Sequence, residues 1–255
     1  MFRMIVLGVV MLLHNLLLAQ EIRLDKKAAV AQVYLTPVES ESLLSMNELD
    51  METGYVLYEA EIITEAETAA LELENVRDYA VVYVDGELQG TVTAHRKRLT
   101  IKTKPGKYLL QIYVEHIGRI TYGPEITDNA KGLFGEITLA GVDLQHWKMT
   151  PLNVKNYPIG DLAFESRDSV QTPGFYKGTF EVNVLTNTYL DISGWGMGEV
   201  WLNKKYLGSY WEEEKQRSLF IPSEGLVRGK NEIVVFELKN NQQKVMKLSE
   251  TPVFK

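Results

Sequence analysis

Beyond its first fifty residues the chain alternates short apolar-rich runs with turn-forming residues. The runs "GYVLYEAEI", "YAVVYVDGELQGTV", "RLTIKT", "YLLQIYVEHIG", "GEITLAG", "FYKGTFEV", "TYLDISG", "GEVWLNKKYLGSY", "SLFIPS" and "NEIVVFELK" are rich in Val, Ile, Tyr, Phe and Thr. Gly, Pro, Asn or Asp separate them, the signature of strands and their turns. In "EVNV" the alternation sets Val182 and Val184 on one face and Glu181 and Asn183 on the other. No stretch after the N-terminal segment keeps a helical apolar stripe for ten residues. The pattern therefore predicts an all-β protein built from antiparallel sandwiches.

The runs also repeat. "GYVLYEAEI" from Gly54 is matched by "GFYKGTFEV" from Gly174, and "VVYVDGELQGTV" from Val81 by "EVWLNKKYLGSY" from Glu199. Asp85 falls on Asn203 and Gly90 on Gly208, and each pair is followed by a short strand ("LTI", "LFI") and a longer one ("YLLQIYVE", "NEIVVFEL"). Two modules of one architecture are expected. Asp85-Gly86 is a strong hairpin signal because both turn positions need positive φ, and Asn203-Lys204 is the same turn with a poorer second residue. The boundaries read as 1–19 signal peptide, 20–50 N-terminal extension, 51–141 first module, and 142–255 connector plus second module.

At the N-terminus, "MFRM" carries one positive charge before the apolar run "IVLGVVMLLHNLLLA". That run is short for a membrane span, and His14 and Asn15 interrupt it, so cleavage after Ala19 and export to the periplasm or outside the cell are expected. An uncleaved anchor is the alternative, since Leu17 occupies a position where a smaller residue is usual. The sequence has no cysteine, which removes disulfides, thiol nucleophiles and thiolate metal sites. A net charge of −7 argues against nucleic acid or an anionic membrane as the partner of the mature chain.

The second repeat, "TYLDISGWGMGEVWLNKKYLGSYW" flanked by "GFYKGTFEV" and "SLFIPSEGLVRGKNEIVVFEL", closely resembles the C-terminal region of family 35 glycoside hydrolases, the β-galactosidases. So does the first, through "DYAVVYVDGELQGTV" and "VEHIGRITYGPEITDNAKGLFGEITLAG" followed by "WKMTPL". The resemblance runs from about residue 43 to 240. It implies two tandem jelly-roll, galactose-binding-domain-like modules of the kind that follow and pack against a TIM barrel in that family. The family's two catalytic glutamates belong to the barrel, and no position here matches their motifs. Some thirty residues lie between the expected signal and the first module, whereas a (β/α)₈ barrel needs roughly 200 or more.

Nothing else in the sequence forms a catalytic set. Glu212, Glu213 and Glu214 in "WEEEK" read as a solvated loop after a hairpin. His95, His116 and His146 stand isolated without metal-ligand spacing, and there is no Gly-x-Ser-x-Gly elbow. No catalytic residue, metal or cofactor is predicted, and "ITDNAKG" reads as a polar loop. Sugars are held by flat aromatic faces and a few hydrogen-bonding groups. The candidates are Trp195, Tyr206, Tyr210 and Trp211, beside Glu212 and Arg217, with core packing as the competing role for the aromatics. Arg119 and Tyr122 in "GRITYG" are candidates for contact with a barrel partner. Three roles follow: an exported non-catalytic module that binds galactosides or supports glycan degradation, a structural subunit docking on a separately encoded barrel, or a truncated β-galactosidase.

Overall fold

A computed structural model of the chain describes residues 20–116, 118, 130–166, 173–239 and 242–255. The expected signal peptide, and both Arg119 and Tyr122, lie outside them. The described residues form twenty strands and three short 3₁₀ turns. The path opens with β1 (Glu21–Arg23), β2 (Lys26–Ala29) and β3 (Val38–Ser40). It continues through β4 (Gly54–Thr64), β5 (Thr68–Arg77), β6 (Tyr79–Val84), β7 (Glu87–Thr93) and β8 (Arg98–Lys102). Next come β9 (Gly106–His116), β10 (Gly132–Leu139), β11 (Val142–Asp143), β12 (Trp147–Leu152) and β13 (Glu165–Ser166). The remainder is β14 (Gly174–Val182), β15 (Thr188–Asp191), β16 (Met197–Leu202), β17 (Lys205–Trp211), β18 (Ser218–Ile221), β19 (Gly229–Glu237) and β20 (Val245–Ser249).

These strands make two β-sandwiches, as the apolar pattern predicts. In the first, the sheet β11-β10-β5-β8 covers the six-stranded sheet β3-β12-β4-β9-β6-β7. In the second, β1-β20-β15-β18 covers β13-β2-β14-β19-β16-β17. The two six-stranded sheets then face each other, so the molecule is four sheets deep with three apolar layers. The middle layer joins the modules: Tyr55, Leu57, Tyr79, Val81 and Tyr83 of the first meet Phe175, Trp201, Val234 and Phe236 of the second. Central strands of these inner sheets are buried on both faces: every residue of β6 ("YAVVYV") and β16 ("MGEVWL") is buried. That is why they read as continuous apolar runs and not as alternating ones.

The repeat is visible in backbone geometry. Asp85-Gly86 and Asn203-Lys204 both take positive φ and close the hairpins β6–β7 and β16–β17. Each hairpin slips register at the same place, opposite Gly90 (φ 151°) and Gly208 (φ 156°). These are equivalent β-bulges, which bend the edge strand and require a residue free to take that φ.

Two expected boundaries move. Residues 147–152, assigned from sequence to the connector, form β12 and pair with β4 inside the first module. The extension 20–50 is divided between the modules. β1 pairs with β20 and β2 with β14, placing Ile22 and Leu24 in the core of the second module, while β3 pairs with β12 in the first. Gly178 makes this possible, because a Cβ there would sit 2.3 Å from the carbonyl oxygen of Arg23. Backbone can cross that close only over a glycine.

Candidate functional site

Three of the residues singled out from sequence, Trp195, Glu212 and Arg217, come from loops at the end of the second module where it meets the first, and Tyr206, Tyr210 and Trp211 from strand β17. β15 leads into the turn Ser193–Gly196 and β17 into the loop 212–217; Trp211, the last residue of β17, packs against Tyr79 of β6. The segment 253–255 straps this loop down: Arg217 N–H donates to the Val253 carbonyl (2.7 Å) and Lys255 N–H to the Lys215 carbonyl (2.8 Å). The loop forms a ridge with a crevice on either side.

The larger crevice, about 650 Å³, gathers Trp195, Glu212 and Arg217 as the sequence suggested. It adds Thr91 and Arg96 from the first module, Lys239, and Phe254 from the strap. Lys239 is ion-paired to Glu212. Arg217 is half-buried, and among the described residues its guanidinium has no hydrogen-bond or ion-pair partner. The aromatic assignment needs correction. Trp195 is 1% exposed, packed in the second core against Tyr176, and its indole N–H donates to the Val245 carbonyl. Its face is not available to a sugar. Phe254, 63% exposed, supplies the open ring instead. Sequence reasoning missed it because a lone Phe in "TPVFK" carries no pattern; only the strap brings it to the crevice.

The smaller crevice, about 390 Å³, is lined by Glu115 and Lys155 on one side and by Ser209, Tyr210, Trp211 and Gln216 on the other. Here too the aromatics are corrected. Tyr210 is buried, with its hydroxyl on the Phe236 carbonyl and the Glu237 carboxylate. Trp211 is half-buried and edge-on to Tyr79, with ring centroids 5.7 Å apart. Both serve as packing, the alternative role their positions allowed. Tyr206 stays half exposed, but its hydroxyl is committed to Glu199.

Behind this crevice lies a polar cluster that the sequence did not disclose. Glu199, fully buried in β16, accepts from the Tyr55 hydroxyl (2.7 Å), the Tyr206 hydroxyl (2.6 Å) and the Lys155 ammonium (3.0 Å). Glu115, 4% exposed in β9, has one carboxyl oxygen 3.0 Å from the same Tyr55 hydroxyl; its other oxygen is sheltered and unpartnered. A phenol has one proton, so it cannot donate to two carboxylates at once. The consistent arrangement is a neutral Glu115 donating to the Tyr55 oxygen, while Tyr55 donates to an ionised Glu199. The electrostatics agree: burial first, and then the charge of Glu199, pushes the Glu115 carboxyl up to about 8. On the far side of Tyr210, burial pushes Glu237 up to about 7, opposed by N–H donors from Gly196, Met197 and Lys239.

A neutral acid beside an ionised carboxylate is the protonation pattern of a glycosidase pair. In this chain it does not meet the requirement of access. The Tyr55 hydroxyl fills the gap where a glycosidic oxygen would have to sit, and both acids lie inside the seam between modules. The cluster locks the modules together. Among the described residues no group of His, Asp and Glu could hold a metal ion.

Comparison with known proteins agrees with the architecture. Residues 44–153 match the family model "Beta-galactosidase, first all-beta domain", and residues 173–231 match "Beta-galactosidase, galactose-binding domain". The chain consists of β-galactosidase-family all-β domains. A β-galactosidase of Xanthomonas manihotis is 32% identical over 73% of this chain and 31% of its own length. Beta-galactosidase-1-like protein 2 of Homo sapiens is 27% identical over 85% of this chain and 35% of its own. The β-galactosidase of Mus musculus is 31% identical over 80% and 35%. The chain thus spans about a third of the length of these relatives. Among solved structures, a lectin from Pleurotus ostreatus in complex with GalNAc covers 90% of this chain at 12% identity and a TM-score of 0.27, too loose a likeness to bear on function.

Proposed function

We propose that this β-galactosidase-family region is an exported, non-catalytic carbohydrate-engaging unit of family 35 type, and that the larger crevice at the module seam faces the glycan. The observation that carries this reading is the convergence of Arg217, Glu212, Arg96 and the open ring of Phe254 on one crevice of about 650 Å³. An exposed aromatic ring covers the C–H face of a sugar, while charged donors and acceptors engage its hydroxyls. The burial of Glu115 and Glu199, with the Tyr55 hydroxyl occupying the space between them, supports the non-catalytic half of the proposal. Titration calorimetry with galactosides tests it: saturable binding weakened at least tenfold by Arg217→Ala or Phe254→Ala is expected. Binding unaffected by either substitution would remove the crevice from the reading. Release of nitrophenol from an aryl galactoside, abolished by one carboxylate substitution, would overturn the non-catalytic assignment.

A second reading has its own support in the one-third coverage of the relatives. On it, this region works as the β-domain portion of a larger β-galactosidase assembly, docked on a barrel encoded with it or separately. Co-purification with a barrel protein, and restoration of galactoside cleavage on mixing, would favour that reading.

A further inference from the structure

β15 and the turn after it connect two cavities of the second module, a pocket at Thr188 and the seam crevice at Ser193. This distal pocket, about 710 Å³, is formed by the β14–β15 loop, the end of β20 and residue Gln20. Four or five residues of strand, on the order of 15 Å, separate the two.

Its chemistry differs from that of the crevice. The polar lining is amide and hydroxyl, with Gln20, Asn183, Asn187 and Thr251 above a floor that includes Val182 and Leu248. No Lys or Arg lines it; its charged members are the carboxylates Glu181 and Glu250. Such a wall repels anions and accepts from hydroxyls. The Asn187 side-chain oxygen Oδ1 accepts from Ser223 N–H, which fixes the amide. Asn183 is exposed and has no hydrogen-bond partner among the described residues.

Beside the pocket mouth lies a second feature. Ser249, a lining residue, pairs with Tyr189, which pairs with Phe220 across the outer sheet. The Tyr189 and Phe220 rings are 5.4 Å apart, and Phe220 is 45% exposed. Two neighbouring rings on an outward sheet face, next to a neutral hydrogen-bonding pocket, are what a neutral pyranose chain requires. As a directly opposed cross-strand pair the rings also stabilise the outer sheet, which holds them in place beside the pocket.

We propose that this end of the second module is a second glycan site: the pocket takes the terminal pyranose of a neutral glycan, and the following sugar lies over Tyr189 and Phe220. The site is separate from the seam crevice and does not depend on it. The test is calorimetry with β-1,4-galactotetraose, with the oligogalacturonide of the same length as the charged control. The neutral probe is expected to bind the wild-type chain at two sites and Arg217→Ala at the distal site only, with the affinity of that site unchanged. Asn183→Ala and Phe220→Ala should each weaken binding at this site about tenfold; the thermal midpoint should stay unchanged in Asn183→Ala, whose side chain is exposed, and fall only slightly in Phe220→Ala, which loses one cross-strand aromatic pair. The charged control should not bind at this end. Equal affinity in wild type, Asn183→Ala and Phe220→Ala overturns the proposal. So does loss of the neutral probe in Arg217→Ala alone, an outcome that leaves the seam crevice standing. Absence of any binding at millimolar probe also overturns it.

Discussion

Glu115→Gln is expected to stabilise the protein in mild alkali while changing it little in acid. In the fold Glu115 holds its proton to about pH 8, whereas its ordinary value is 4.5. Below pH 4.5 the acid is neutral both folded and unfolded and has no influence on the balance. Between 4.5 and 8 the unfolded chain releases a proton that the folded chain keeps, so stability falls as pH rises. Above 8 both states are ionised and the loss is complete. At about 1.4 kcal/mol per pH unit, the decline reaches about 5 kcal/mol at most. Its size is set by burial and by Glu199, and is moderated by Tyr55 and Lys155. Glutamine keeps the shape, and its amide N–H donates to the Tyr55 oxygen as the acid proton does. The difference between variant and parent should therefore be near zero at pH 4.5 and grow to several kcal/mol in favour of the variant by pH 8. Glu237, held up to about 7, contributes to both proteins and cancels in the difference. Urea unfolding followed by tryptophan fluorescence at pH 4.5, 6, 7 and 8.5 measures it, with the slope m compared at each pH. Parallel curves, or a glutamine variant weaker than the parent at pH 8.5, would refute the proton assignment.

Other outcomes follow from the same contacts. Glu199→Ala removes the acceptor of the buried Tyr55 hydroxyl, while the partly exposed Tyr206 hydroxyl and Lys155 ammonium turn to water, so a loss of about 1–3 kcal/mol is expected in urea unfolding; no measurable loss would contradict the hub role. Gly178→Ala drives a methyl group onto the Arg23 carbonyl, and the resulting overpacking of about 1–3 kcal/mol should loosen β1. Limited trypsinolysis should then cut faster after Arg23 and Lys26, and an unchanged cleavage rate would count against the crossing. Lys204→Gly relieves a positive φ of 68° in the β16–β17 turn and should raise stability by about 1 kcal/mol, read from the urea midpoint.

The sheets and hairpins were legible because they depend on local signals: period-2 runs, Asp-Gly and Asn-Lys turns, and the matched glycines of the two bulges. The face-to-face stacking of the inner sheets left only an indirect trace, in runs such as "YAVVYV" that are apolar on both faces. Burial of Trp195 and Tyr210 was not decidable from sequence, since an aromatic at a strand end serves a core or a ligand equally well. Glu115 and Glu199 gave no warning either. Each is a single acid in a strand, and only the seam brings them to the same hydroxyl from opposite modules. The N-terminal strands were read as an extension because three- and four-residue segments fall below any periodicity test. Their partners, β20 and β14, lie more than a hundred residues away.

That pairing shapes how the polypeptide acquires its form during synthesis. Ile22 sits opposite Met246, so the second sandwich unites the earliest and the latest of the described strands. The first sandwich draws its long strands, β4 to β12, from one continuous stretch and has them ready while the ribosome is still far from β20. Its seam face then waits, rich in tyrosine, as a template on which the other half assembles. Domains that close by such distant joins fold slowly and spend time with open edges. Separating the halves at residue 160 would therefore yield a first half carrying two orphaned strands and a second half lacking them.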